Sequence, residues 1–529
     1  MHFTSFAANR RVAIVVFGAV LTVAAPGLAG CTSSGPAAPV AQLQVHVSDG
    51  WLRGTVSQGV REFLGIPYGA QPVRFAPPQP ARPWNGVRPA SAHGPACVQF
   101  QPMGVPAGQA TSEDCLYLDI YTPAGARPRS RLPVLFWIHG GNFTEGSGVL
   151  YGGQRFASLT NSIFVSINYR LGVYGFLALP QLAASPQGTG NYGLLDQIAA
   201  LKWVRSNIGA FGGDAHKITI DGQSAGSGSV CDLLASPLAA GLFQRGIMES
   251  GPCTTVAPTS LADSEGAGEE FAAAVGCGTP TTVVTCLRAA RTSALVAAAQ
   301  QDVVNTPAYG TPVLPEPPAE AFGNGHWNKV PMIVAGTRDE GKLFFDTVTD
   351  MTADQYEYAM DTMYGSNAAT VLAHYPVRGY PAPFYARAAV FTDALEACPD
   401  YMGANAFASQ VPTWEEEFDD PASPTFVGDQ PRGIDMSNAH SAELDFLWNI
   451  PLLYTHPLTP AQQRLGAQMD RYWAAFARTG NPNVRGQVAW PPVTPGAHPV
   501  LDLHPSGNIV SAGFIAEHHC DFWGPPVGG

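Results

Sequence analysis

Two hydrophobic periods run through this chain. Pro133 to Ile138 holds no polar side chain and leads straight into His139-Gly140-Gly141-Asn142-Phe143, so it reads as a strand buried on both faces that ends in a glycine loop. Ile163 to Tyr169, Phe243 to Ser250 and Val330 to Gly336 are further runs of strand length. Ile218-Thr219-Ile220 is a shorter β-branched run. Trp51 to Val56 and Phe63 to Tyr68 read as short strands, and the prolines at 72, 77, 78, 80 and 83 keep the next part extended. Leu116, Leu118 and Ile120 alternate with Tyr117, Asp119 and Tyr121, which predicts a strand with one face inward.

The second period is helical. Asn191 to Asn207 carries Leu194, Leu195, Ile198, Leu201 and Trp203 at helical spacing. Ser227 to Ala235 sets Val230, Leu233 and Leu234 on one side, residues 351–410 are mainly helical, and Gln462 to Thr479 is an amphipathic helix stopped by Gly480-Asn481-Pro482. Strands that alternate with helices predict an α/β protein with a mostly parallel central sheet. No internal repeat and no linker interrupts the chain after residue 45, so residues 45–529 read as one large domain with helical insertions.

The N-terminus follows another logic. Arg10 and Arg11 precede an apolar run from Val12 to Val23, and Leu28-Ala29-Gly30-Cys31 follows, so residues 1–30 read as an export signal. The last four residues resemble a bacterial lipobox, which implies that Cys31 is lipidated and heads the mature chain. Residues 31–44, rich in Ser, Ala, Gly and Pro, then form a tether, and the protein is expected at the bacterial membrane or envelope. Residues 1–30 carry two arginines and no acid, so their removal takes the formal charge from -13 to -15. A chain this acidic is a poor partner for nucleic acid. Nine cysteines suit an oxidising compartment; setting Cys31 aside leaves eight, which spacing alone does not pair.

The candidate chemistry sits at Gly222-Gln223-Ser224-Ala225-Gly226, directly after the Ile218–Ile220 run and before a helical pattern. G-x-S-x-G between a strand and a helix is the nucleophile elbow of α/β-hydrolases. A serine thrust out of such a turn brings its neighbours two residues away too close for side chains, and the following helix aims its N–H groups at a developing negative charge.

With this motif, the chain resembles the type-B carboxylesterases, the group that includes cholinesterases and para-nitrobenzyl esterases. The resemblance rests on Phe63 to Tyr68, Ser112 to Leu118, His139 to Phe143, Asn168 to Arg170, Gly193 to Gln197, Phe211 to Asp214, Gly222 to Gly226, Asp339 to Gly341 and Cys520 to Trp523, in the family's order. It implies an α/β-hydrolase fold and a Ser-Glu-His triad of Ser224, Glu340 and His440, with Asp339 the rival acid. It also implies an oxyanion hole of the Gly141, Asn142 and Ala225 N–H groups, with Asn142 where many relatives carry a third glycine. Arg74 with Glu113, and Arg170 with Asp196, resemble the family's buried ion pairs, and Ser250 matches a serine near the triad. The family positions imply disulfides Cys97–Cys115, Cys277–Cys286 and Cys398–Cys520, with Cys231 and Cys253 left as buried free thiols.

The implied activity is hydrolysis of small-molecule carboxylic esters through an acyl-enzyme. No cofactor or metal is implied; His518-His519 lacks further spaced ligands. Amides, carbamates and lipid esters are alternative substrates for the same machinery, and a non-catalytic adhesion module is the reading from another class. The loop between Cys97 and Cys115 lacks the tryptophan that cholinesterases use on the choline cation, so neutral esters with short to medium acyl chains are expected.

Overall fold

The computed structural model describes residues 43–100, 104–299, 306–425, 433–448, 450 and 456–524. The export signal, Cys31 and nearly all of the tether lie outside the described residues. Eleven strands form the central sheet. In chain order they are β1 (Thr55–Ser57), β2 (Val60–Pro67), β3 (Tyr117–Pro123), β4 (Leu132–Ile138), β5 (Ile163–Ile167), β6 (Gly213–Gln223), β7 (Arg245–Glu249), β8 (Met332–Thr337), β9 (Thr413–Phe418), β10 (Val500–Leu503) and β11 (Ile509–Ser511). Across the sheet they run β11-β10-β9-β8-β7-β6-β4-β5-β3-β2-β1. From β10 through β5 every neighbouring pair is parallel, and the antiparallel pairs are confined to the two ends.

The apolar strands face two cores. Val134, Phe136 and Ile138 of β4 belong to one, and Leu135 and Trp137 belong to the other. A strand buried on both faces needs no alternation, and this explains the unbroken run from Pro133 to Ile138. Helix α1 (Tyr192–Phe211) packs on the first face and α5 (Pro460–Thr479) on the second. α5 opens with a capping box between Thr459 and Gln462 and ends at Gly480 in the left-handed region. α1 runs four residues past the predicted end and closes at Gly212, whose φ of 102° turns the chain out of the helix.

Two departures from the sequence reading share a cause. β3 is buried on both faces, although its alternation predicts one polar face. Its Asp119 stays inside by accepting the Gly65 N–H at 2.7 Å and meeting His93 Nδ1 at 2.6 Å. β9 was not visible in the pattern at all. Its sequence is Thr-Trp-Glu-Glu-Glu-Phe, yet every residue is buried. Glu415 is held by His498, and Glu417 by His518 and Arg338. Burial works against the His518 cation, but Glu417 and Asp393 on its two ring nitrogens outweigh it and push the imidazole up to about 10. His518 is therefore a structural cation at neutral pH.

The expected scaffold ion pairs differ in depth. Arg170 meets both oxygens of Asp196 at 2.8 Å, and both side chains are buried. Arg74 and Glu113 are bidentate as well, but partly exposed, a correction to the fully buried pair the resemblance implies.

Disulfides join Cys97 to Cys115, Cys277 to Cys286 and Cys398 to Cys520. A fourth joins Cys231 to Cys253, with Cα atoms 5.6 Å apart, and overturns the expectation of two free thiols. Cys231 lies on helix α2 (Ala225–Ala235) after β6, and Cys253 lies just after β7. β6 and β7 are parallel neighbours, so α2 starts at the same edge of the sheet at which β7 ends, and a cysteine in its first two turns lies beside the residues that follow β7. Among the described residues, no helix is long and apolar enough to cross a membrane.

Candidate active site

Ser224 stands between the end of β6 and the start of α2 with φ 59° and ψ -124°. Few non-glycine residues adopt this conformation, and it persists because the surroundings enforce it. The Ser224 N–H donates to Glu249 O of β7 at 2.8 Å, and Gly228 N–H donates to Ser224 O at 3.0 Å. The flanking glycines are there for space. A Cβ on Gly222 would lie 2.4 Å from Gly226 O, and one on Gly226 would lie 2.1 Å from Ile138 O.

The loop after β4 abuts this turn. A Cβ on Gly140 would stand 3.0 Å from Ser224 Cβ. Gly141 and Asn142 follow at φ 106° and 52°. Asparagine tolerates this left-handed region better than most side chains, so it can stand where glycine is otherwise usual. Gly141 O accepts the N–H groups of Thr144 and Glu145 at 3.0 Å, which holds the loop in its turn. The N–H groups of Gly141, Asn142 and Ala225 have no acceptor among the described residues. His139, at the loop's root, is pushed down to about 4 by burial and is neutral.

The acid and the histidine come from two loops stitched together. Glu340 follows β8 and is 1% exposed. Its Oε1 accepts the Thr337 N–H at 2.7 Å, and its Oε2 meets His440 Nδ1 at 2.5 Å. Asp339 N–H donates to Asn438 O at 3.0 Å, and Lys342 Nζ donates to Ser437 O at 2.8 Å. Asp339 itself pairs with Lys342 Nζ at 3.0 Å, and Glu340, not Asp339, meets the imidazole. Gly341 is required, since a Cβ there would lie 2.1 Å from Ala388 O.

His440 Nε2 has a partner that sequence reasoning missed. The Gln223 side-chain amide meets it at 3.1 Å and also donates to Ser441 Oγ at 3.0 Å. With Nδ1–H directed at Glu340, Nε2 carries the lone pair and the amide donates to it. Among the described residues, Ser224 Oγ has no hydrogen-bond partner. The signal was present in the motif, because the residue before an elbow serine must lie at the same mouth. Ser250 is buried nearby at φ 47°, and its Oγ has no partner among the described residues. Glu145, two residues after Phe143, is pushed up to about 7 by burial. Among the described residues, no cluster of three or more His, Cys, Asp or Glu is placed to hold a metal.

The model of the carboxylesterase family matches residues 41–523. The chain belongs to the carboxylesterase family. Para-nitrobenzyl esterase of Bacillus subtilis (strain 168) is 34% identical over 466 residues, covering 84% of this chain and 91% of that one. Cocaine esterase of Homo sapiens is 34% identical over 478 residues, covering 82% of each. A solved PNB esterase structure superposes with TM-score 0.76 at 32% identity, covering 90% of this carboxylesterase and 99% of that chain. The fold is the α/β-hydrolase fold, and the protein is a serine hydrolase of carboxylic esters. Its elbow stands at the C-terminal end of a central parallel strand, where α/β sheets place their sites.

Proposed function

We propose that this carboxylesterase works through Ser224, His440 and Glu340. Ser224 Oγ attacks the ester carbonyl while His440 Nε2 takes its proton. Glu340 fixes the tautomer with Nδ1 protonated and offsets the imidazolium charge. The N–H groups of Gly141, Asn142 and Ala225 receive the oxyanion. The alcohol leaves with the proton from His440, and water cleaves the acyl-enzyme by the same route. The observation that carries this reading is the 2.5 Å contact between Glu340 Oε2 and His440 Nδ1 beside a strained serine. Treatment with diethyl p-nitrophenyl phosphate tests it. The adduct should map by mass spectrometry to Ser224, and labelling elsewhere would overturn the assignment.

Gln223 holds the imidazole of the base in place, and Ser224 Oγ takes over Nε2 when the ester binds. Gln223→Glu places a carboxylate against that nitrogen and favours the imidazolium. The acid-side midpoint of the kcat/KM profile should then move to higher pH by about one unit or more. An unmoved midpoint would mean that this contact does not govern the base.

The substrates proposed are neutral esters with short to medium acyl chains. Phe100 is the only aromatic residue between Cys97 and Cys115, and it is 51% exposed. Butyrylcholine should be hydrolysed with no higher kcat/KM than its uncharged isostere, 3,3-dimethylbutyl butyrate. A clear preference for the charged ester would place a cation subsite in the ester cleft. We further propose that Cys31 carries a diacylglycerol thioether, whose two chains suffice for stable membrane association. Cys31→Ser should move the protein from the membrane pellet to the soluble fraction, and equal partitioning would refute the anchor.

A further inference from the structure

We propose that the sheet edge opposite the ester cleft binds anionic phospholipid headgroups and, resting on the anchor read at Cys31, that this edge is the one laid on the membrane. Strands β4 to β10 all run in one direction. The oxyanion loop follows the C-terminal end of β4, and Ser224 follows that of β6. The segments that enter the strands therefore gather at the other edge. β4 has seven residues, which sets the two edges about 20 Å apart.

The entry edge is basic, and its cations are unpaired. Arg127-Pro128-Arg129-Ser130-Arg131 leads into β4, and all five residues are exposed. The Ser130 N–H donates to Arg127 O at 2.9 Å, so the three arginines share one tight turn. The loops from helix α3 (Pro318–Asn324) to β8 and from helix α4 (Cys398–Ala408) to β9 add His326 and Lys329 and no acid. Asp214 and Glu316 lie beside these segments, paired with Lys217 and His326. Among the described residues, Arg127, Arg129, Arg131 and Lys329 form no ion pair. At the cleft edge the reverse holds. Arg170, Arg338 and Lys342 are each paired with a carboxylate.

The chain also joins the fold at the basic edge. Gln44, His46 and Trp51 share a cleft of about 700 Å³ with Arg127 and with Ala210, next to the end of α1. Trp51 is 46% exposed, and its ring meets His46 at 4.9 Å. Arg53 is exposed on the same face of the strand Gly50–Arg53, because Leu52 between them is buried. An indole beside guanidinium groups suits the headgroup level, where the ring is half wet and the cations meet phosphate oxygens. Twelve residues separate Cys31 from Leu43, a span of at most about 40 Å. A lipid on Cys31 keeps this end of the fold within that distance of the bilayer. The formal charge of -13 does not prevent the contact. Screening acts over about 8 Å at physiological ionic strength, well under the ~20 Å between the edges, so a headgroup responds to the near arginines. Laid down this way, the ester cleft opens away from the bilayer, toward dissolved esters.

Cosedimentation with vesicles tests the surface, using the mature chain, residues 31–529, with Cys31→Ser so that no lipid takes part. Vesicles with about 30% phosphatidylglycerol in phosphatidylcholine should bind it at least tenfold more tightly than phosphatidylcholine alone in about 0.1 M NaCl, and about 0.5 M NaCl should release it. Arg127→Glu, Arg129→Glu and Arg131→Glu together should weaken binding at least tenfold and leave hydrolysis of p-nitrophenyl butyrate unchanged. Arg464→Glu is the control. α5 ends at the basic edge, where Arg478 Nη2 donates to Thr160 O at 2.9 Å, so the exposed Arg464 near its start lies toward the other edge and its reversal should change nothing. Equal binding to both vesicles, full binding by the triple variant, or an equal loss with Arg464→Glu would each overturn the surface. Retention on heparin without binding to vesicles would assign the edge to a soluble polyanion and overturn it as well. Fractionation of cells in high salt reads the anchor and the vesicles read this edge, so either can fail alone.

Discussion

Ser224→Ala should leave a folded protein that forms no diethylphosphoryl adduct and turns esters over about 10⁵-fold more slowly. The magnitude follows from what remains. The oxyanion donors and the substrate cleft survive the change and retain roughly 10³–10⁴-fold catalysis over water. What is lost is the covalent route. His440→Ala should be nearly as severe, because a serine hydroxyl without a base is a weak nucleophile and the two groups act as a unit. The double variant should therefore be little worse than either single one. Burst kinetics on p-nitrophenyl butyrate, with circular dichroism as the control for folding, reads all three. Costs that multiplied in the double variant would mean that the two residues serve separate steps.

Glu340→Gln should lower kcat/KM by roughly 10³–10⁴-fold while the fold persists. An amide in that place can turn its NH₂ toward Nδ1, which stabilises the tautomer with the proton on Nε2. That nitrogen could then no longer accept the serine proton. The Thr337 N–H that now donates to Glu340 Oε1 can still be satisfied by the amide oxygen, so stability should fall much less than rate. Asp339→Asn is the companion measurement. It breaks a pair with Lys342 inside the acid loop and leaves the Lys342 bond to Ser437 O of the histidine loop in place, so a loss within about tenfold is expected. If Asp339→Asn were the more damaging change, the acid would have been assigned one residue late.

Much of the site was legible because its constraints are local. An elbow serine needs small neighbours, and Gly222 and Gly226 supply them within five residues. The parallel sheet was legible in β4, β5 and β8, where apolar runs mark strands buried on both faces. What escaped was polar and buried. The three glutamates of β9 look like a solvated segment, and for two of them, Glu415 and Glu417, it is distant partners, His498, His518 and Arg338, that make burial possible. Asp119 misled the reading of β3 for the same reason. Gln223 was visible, but its role depends on a loop more than 200 residues away. The Cys231–Cys253 bond depends on strand order, which hydrophobic periodicity does not encode.

The connectivity of those bonds bears on how the chain matures. From residue 97 onward each half-cystine is joined to the next cysteine along the chain: 97 to 115, 231 to 253, 277 to 286 and 398 to 520. No bond interlaces with another. An oxidant that meets the chain from its N-terminal end, joining thiols as they emerge, reaches the native set with no mispaired intermediate to reshuffle. The scheme works only if counting starts at Cys97. A free thiol at Cys31 would emerge first and take Cys97 for itself, shifting every later pair by one. Conversion of Cys31 to a thioether, as proposed above, would remove it from the count, and the same lipid would then set the register of oxidation.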